Sequence, residues 1–200
     1  MVNPVTISAA VEGIVDEAVV RRLIAWADGH PGPVYGKNGK SALRRNISGY
    51  NNAARHAPWV VLVDLDRDAD CAPPFRRHWL PEPAPQLCFR VAVRQVEAWL
   101  MADAETLAAY LGVKPRRIPV APETLPNAKV EMVNIARRSR RHAIRQDMVP
   151  RPGSGRAVGP AYTSRLTEYA MRHWRPGVAA QHADSLRRAI NCLKRLVERA

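Results

Sequence analysis

Apolar positions along the chain follow two different periods. Three short runs are predominantly apolar with β-branched residues: 5–11 (VTISAAV), 59–63 (WVVLV) and 87–93 (LCFRVAV). Each predicts a strand. The second run has no polar position, which predicts a strand covered on both faces, as in a parallel sheet. Between and after these runs the apolar residues recur at helical spacing. Helices are predicted over 15–28, 40–55, 95–103, 104–111, 161–174 and 183–199, with a basic helical stretch over 127–147. Residues 29–39 (GHPGPVYGKNG) carry enough Gly and Pro to predict a loop. The order of strand, helix, strand, helix, strand, helix predicts an α/β layer with a mostly parallel sheet flanked by helices.

After Gly112 the texture changes. Residues 113–126 hold Pro115, Pro119, Pro122 and Pro126 and read as a linker, and 150–160 (PRPGSGRAVGP) as a Gly/Pro loop. The predicted organisation is an α/β core over 1–112 and a basic, mainly helical C-terminal extension over 113–200, packed on the core.

Charge sharpens that division. Residues 1–110 hold 12 Lys+Arg and 12 Asp+Glu, whereas 111–200 hold 19 and 6, so the net charge of +13 lies entirely in the C-terminal half. Such asymmetry points to a polyanionic partner. No apolar run is long enough to span a bilayer, which takes about 20 residues, so no membrane association is expected. The N-terminal residues lack the pattern of a signal peptide. Cys71, Cys88 and Cys192 form neither a CxxC nor a zinc spacing, which suits a reducing, cytoplasmic compartment.

The candidate chemistry is acidic. The first predicted strand runs into Glu12, and the all-apolar strand ends in Asp64-Leu65-Asp66-Arg67-Asp68. Ligands of open α/β sheets bind outside the carboxyl ends of the strands. Two carboxylates at i and i+2, joined by a third from a neighbouring strand, make an oxygen-rich site suited to Mg²⁺ or Mn²⁺. Read without further context, Asp66 to Asp70 is a polar turn after a strand; Glu12 on a separate strand and the basic C-terminal half favour the metal site.

The motifs Val11-Glu12-Gly13 with Asp16-Glu17, followed by VLVDLDRD, resemble the Toprim domain of topoisomerases, primases and the overcoming-lysogenization-defect nucleases. The stretches VRQVEAWLMAD, RRSRRHAIRQDMVP, VGPAYTSRLTEY and SLRRAINCL resemble an uncharacterised bacterial family of the Toprim-like superfamily. The resemblance implies a Toprim-like fold with catalytic Glu12, Asp64 and Asp66. It places Glu12, Asp64 and Asp66 at a Mg²⁺ or Mn²⁺ ion, with Asp68 as an outer ligand and Glu97 either a further ligand or an exposed helix residue. It implies a metal-dependent nuclease or related phosphoryl-transfer subunit. It also implies a role in anti-phage defence beside an AAA- or ABC-type ATPase. The alternative is a non-catalytic subunit that binds nucleic acid or the ATPase.

The remaining candidates are basic. Arg137, Arg138, Arg140, Arg141 and Arg145 form a run without an acid, suited to tracking phosphates without reading sequence; its plainer reading is a solvated helix face. Lys37 and Lys40 could contact phosphate near a helix start. Their segment, GKNGKS, is not a P-loop: Val34 stands where the motif needs Gly, and a helix and loop precede it instead of a strand. Arg94 could face phosphate or pair with Glu97. The five tryptophans read as core, and the histidines form no metal spacing.

Overall fold

A computed structural model describes residues 4–199. Its centre is a four-stranded sheet of order β2-β1-β3-β4, built from β1 (Thr6–Val11), β2 (His30–Gly36), β3 (Trp59–Asp64) and β4 (Leu87–Ala92). All three pairings are parallel. The crossovers are α1 (Ile14–Trp26), the pair α2 (Lys40–Arg45) and α3 (Ile47–Ala53), and α4 (Ala72–Trp79).

Period-two alternation in the strands explains the layering. Ile7, Ala9, Val11, Val60, Leu62, Cys88 and Ala92 point to one face and join the larger core cluster with α1. Ala10, Val61, Val63, Leu87, Phe89 and Val91 point to the other and pack with Leu43, Ile47, Phe75 and Trp79 of α2, α3 and α4. Both faces of β3 are therefore dry, which is why WVVLV tolerates no polar residue.

The larger cluster draws in the rest of the chain. It contains α5 (Val96–Met101), α6 (Ala104–Leu111), α7 (Ala128–Arg137), α8 (His142–Met148), α9 (Tyr162–Arg172), α10 (Pro176–Ala179) and α11 (Asp184–Glu198). Helix α9 lies on α1, and α11 on β4. Trp99 and Trp174 are fully buried there; Trp99 donates to Ser185 Oγ at 2.7 Å and Trp174 to the Trp99 carbonyl at 3.2 Å. The helices after residue 126 thus share one core with the sheet.

Three expectations change. Residues 30–36, read as loop, form β2. Proline is admitted because β2 is an edge strand, where a missing N–H breaks no ladder on the open side. The helix expected over 40–55 breaks at Asn46, which closes α2 by bonding back to Ala42 and Leu43. The basic stretch 127–147 is two helices, separated at residues 138–141. The stretch 113–126 is also tethered: Ile118 is buried, and Glu123 accepts from the backbone of Asp184 and Ser185 at the start of α11. Among the described residues no helix is long and apolar enough to cross a membrane.

Strand order locates the site. From β1 the chain runs outward to β2, then returns to β3 on the opposite side of β1. The reversal opens a crevice between the carboxyl ends of β1 and β3, where α/β folds place ligands. Glu12 directly follows β1, and Asp64 ends β3.

Candidate metal centre

Glu12 and Asp64 meet at that crevice. The Asp64 backbone N–H donates to Glu12 Oε1 at 2.7 Å, and Asp64 Oδ1 accepts from the Val96 N–H at 2.9 Å. Gly36 makes room for the turn beyond β1. Its φ is +86°, and a Cβ there would lie 2.3 Å from the Val11 carbonyl oxygen, a position only glycine fills.

A pocket of about 320 Å³ opens beside Asp64. Asp16, Asp64 and Glu97 line it with Lys37, Lys129 and Tyr162. The three carboxylates are nearly out of solvent, with Asp16 and Asp64 8% and Glu97 2% exposed. Glu97 Oε1 accepts from the Tyr162 hydroxyl at 3.2 Å and faces Lys129 Nζ at 3.7 Å. Glu97 Oε2 is buried without a hydrogen-bond partner among the described residues.

Burying like charges together disfavours ionisation. Burial, then the charges of Asp16, Glu97 and Glu12, hold Asp64 well above the usual carboxylate range. Burial pushes Asp16 up to about 6, with the Glu97 charge adding to it. Glu12 is pushed up to about 7, again by burial first, while the bond from Asp64 works against the shift. Lys129 is raised as well, held protonated chiefly by the Glu97 charge.

Asp66 does not line that pocket, and its carboxylate is already engaged. Lys40 Nζ binds Asp66 Oδ2 at 2.5 Å and Asp68 Oδ2 at 2.8 Å, and Gln95 Nε2 donates to Asp66 Oδ1 at 2.9 Å. Asp66 has a left-handed backbone, φ +49°, a conformation that costs free energy for any residue with a Cβ. Asp68 is exposed and turned onto Lys40. Arg94 neither faces the pocket nor pairs with Glu97: it donates to the Asp66 and Ala69 carbonyls and braces the loop after β3. Among the described residues no three His, Cys, Asp or Glu side chains already converge as a ligand set.

The structure therefore sets Asp64 beside Glu97 in one pocket and joins its backbone to Glu12, keeps Asp66 adjacent but occupied, and leaves Asp68 outside. It adds Asp16 and Lys129, which sequence reasoning did not single out. Asp16 carried a usable signal: it stands three, four and seven residues before the buried Val19, Val20 and Leu23 of α1, on a stripe where a carboxylate has no structural reason to be. Its place in the first helical turn masked that signal.

The basic candidates divide as well. Lys37 lines the pocket and pairs with Glu17 at 3.1 Å, while Lys40 is committed to the aspartates. Arg141 donates to the Tyr110 carbonyl at 3.0 Å, and Arg145 donates to that of Ser139 at 2.5 Å, so both hold the chain between α6 and α8. Arg137 donates to Asn134, and Arg138 and Arg140 are exposed. A second cavity, about 580 Å³, is lined by Arg137, His142, Arg145 and Arg151. The loop 150–160 reaches both cavities, through Val158 and through Pro150–152.

Comparison with protein-family models, curated proteins and solved structures gave no match.

Proposed function

We propose that this chain is a Toprim-like, Mg²⁺- or Mn²⁺-dependent phosphoryl-transfer enzyme acting on nucleic acid, in its simplest form a nuclease. The observation that carries the reading is Glu97 Oε2, a carboxylate oxygen buried without a partner beside two further buried carboxylates. A buried acceptor left unmade is costly, and a hard divalent cation is the partner that such an oxygen-rich set fits. Asp64, Asp16 and Glu97 would hold it, with Glu12 and Asp66 at its margin. A cation so held supplies charge neutralisation at a phosphate and activation of water.

The protein's own groups suit the remaining work. Glu12, with a pKa near 7, exchanges a proton readily at neutral pH. Lys129 and Lys37 present positive charge at the pocket, and the arginine-lined cavity continues it along loop 150–160, as a polyanion requires. Purified protein incubated with DNA and RNA plus Mg²⁺ or Mn²⁺ should cleave one of them, and Asp64→Ala should not. Equal inertness of both proteins on every substrate, with a co-purifying partner present, would overturn the reading.

A second reading is favoured by the lysines. Lys129 faces Glu97 and Lys40 binds Asp66 and Asp68, so internal cations already offset part of the acidic charge. On this reading the chain is a non-catalytic subunit that binds nucleic acid or an ATPase through its basic half. Retained binding with no metal-dependent turnover in the complex would support it.

A further inference from the structure

The opposite end of the larger core carries chemistry that the acidic pocket does not use. Cys88 and Arg90 stand two apart on β4, hence on one face of the strand, and α11 packs against that strand with Cys192 and Arg195. Cys88 is buried at 1% exposure, while Cys192 is partly open to solvent. The Cys88 and Cys192 side chains are neighbours across that contact. Arg90 Nε is buried without a hydrogen-bond acceptor, and Cys192 is the acidic group beside it.

We propose that Cys88 and Cys192 form a modification site, a thiol pair that a hydroperoxide oxidises to a disulfide joining β4 to α11. The two sulfurs have unequal roles. Cys192 is the accessible one, and its thiol is lowered to about 6 by the neighbouring Cys88 thiol and the Arg90 and Arg195 charges, against the effect of burial. Burial pushes the Cys88 thiol up, keeping it protonated. A thiolate beside guanidinium groups is the nucleophilic form of cysteine. The Cys192 thiolate attacks one peroxide oxygen; an S–O bond forms, the O–O bond breaks, and the departing oxygen takes a proton to leave as water or alcohol. Cys88 then attacks the sulfenic sulfur; the S–S bond forms, the S–O bond breaks, and the hydroxyl leaves as water with the Cys88 proton. Two thiols lose two electrons and two protons, and the peroxide is reduced by two electrons.

The ring so closed spans about a hundred residues, the range in which a cross-link restricts the unfolded chain most. It ties α11 to the strand that leads into Val96 and Glu97.

The test uses the full chain with the exposed Cys71 changed to Ser, treated with stoichiometric hydrogen peroxide at neutral pH. Intact mass should fall by about 2 Da, non-reducing peptide maps should join Cys88 to Cys192, and the oxidised protein should melt higher until dithiothreitol is added. Cys88→Ser should stop the reaction at a Cys192 sulfenic acid that dimedone traps. Iodoacetamide labelling of Cys192 should rise with a midpoint near pH 6, and Arg90→Met should move that midpoint upward. A gain of about 16 or 32 Da on Cys192 with Cys88 still free to alkylate would overturn the proposal. So would an unchanged mass. None of these readouts depends on nuclease activity.

Discussion

The backbone N–H of Asp64 donates to the Glu12 carboxylate across the end of the sheet, at 2.7 Å. The bond joins the two strands between which the crevice opens, and it ends on the group proposed to exchange protons there. Glu12→Ala leaves that N–H without its acceptor, so it should destabilise the fold by about 1–3 kcal/mol, the usual cost of an unmet buried donor. Glu12→Gln keeps an acceptor oxygen and removes one of the repelling charges, so its unfolding midpoint in urea should match or exceed wild type. Similar midpoints for both variants would show that the bond does not hold the crevice.

Stability of the metal-free protein should fall as pH rises. Glu12 goes from 4.5 to about 7 and Asp16 from 3.8 to about 6 on folding. Between the unfolded and folded values the native state binds more protons than the unfolded one, so unfolding free energy decreases with pH. The loss begins near pH 4, and it is complete above about 7, where both groups are ionised in both states. Asp64→Asn should flatten this slope and raise the melting temperature at pH 8, since an amide oxygen can still accept from Val96. Added Mg²⁺ should reverse the slope, because binding requires the deprotonated carboxylates and releases their protons. Thermal melts across pH with EDTA or Mg²⁺ read all three effects.

Gly36→Ala tests the floor of the site. Its Cβ would meet the Val11 carbonyl at 2.3 Å on a backbone with φ +86°. The cost should exceed about 1 kcal/mol, the scale of an incompatible Gly→Ala change. Wild-type stability of this variant, measured by urea unfolding, would contradict the position of β2 against β1.

Much of this was legible in the sequence. The strands β1, β3 and β4 follow from apolar runs, and the meeting of Glu12 with Asp64 follows from their places at strand ends. What was hidden has physical causes. HPGPVYG is turn chemistry by composition and becomes β2 only because an edge strand forgives proline. Asp16 stands in the first turn of α1, where any carboxylate suits the helix macrodipole, and Glu97 reads in sequence as either a ligand or an exposed residue. Their burial comes from α5 and α9 closing over α1, a packing with no local signature. Lys129 reaches Glu97 only because α7 folds back over α5, about thirty residues on.

The arginine run should separate into two classes. Arg138→Ala and Arg140→Ala remove exposed charges, so they should weaken binding to single- and double-stranded nucleic acid alike. Each should reduce the salt slope of log K by about 1 with no change in melting temperature. Arg141→Ala and Arg145→Ala break bonds to backbone carbonyls, so they should lower the melting temperature first. Uniform effects on binding across all four, measured by fluorescence anisotropy at several salt concentrations, would contradict this division.

The buried carboxylates Asp16, Asp64 and Glu97 are proposed to form a divalent-cation site. Titration of Mn²⁺ into the metal-free protein, followed calorimetrically and by thermal shift at pH 8, tests it most directly. One class of site should appear. At a free concentration a hundredfold above Kd the fold should gain about 2.7 kcal/mol. Binding and shift should both disappear in Glu97→Gln and in Asp64→Asn. Wild-type protein that takes up no Mn²⁺, or variants that bind as wild type does, would contradict the account.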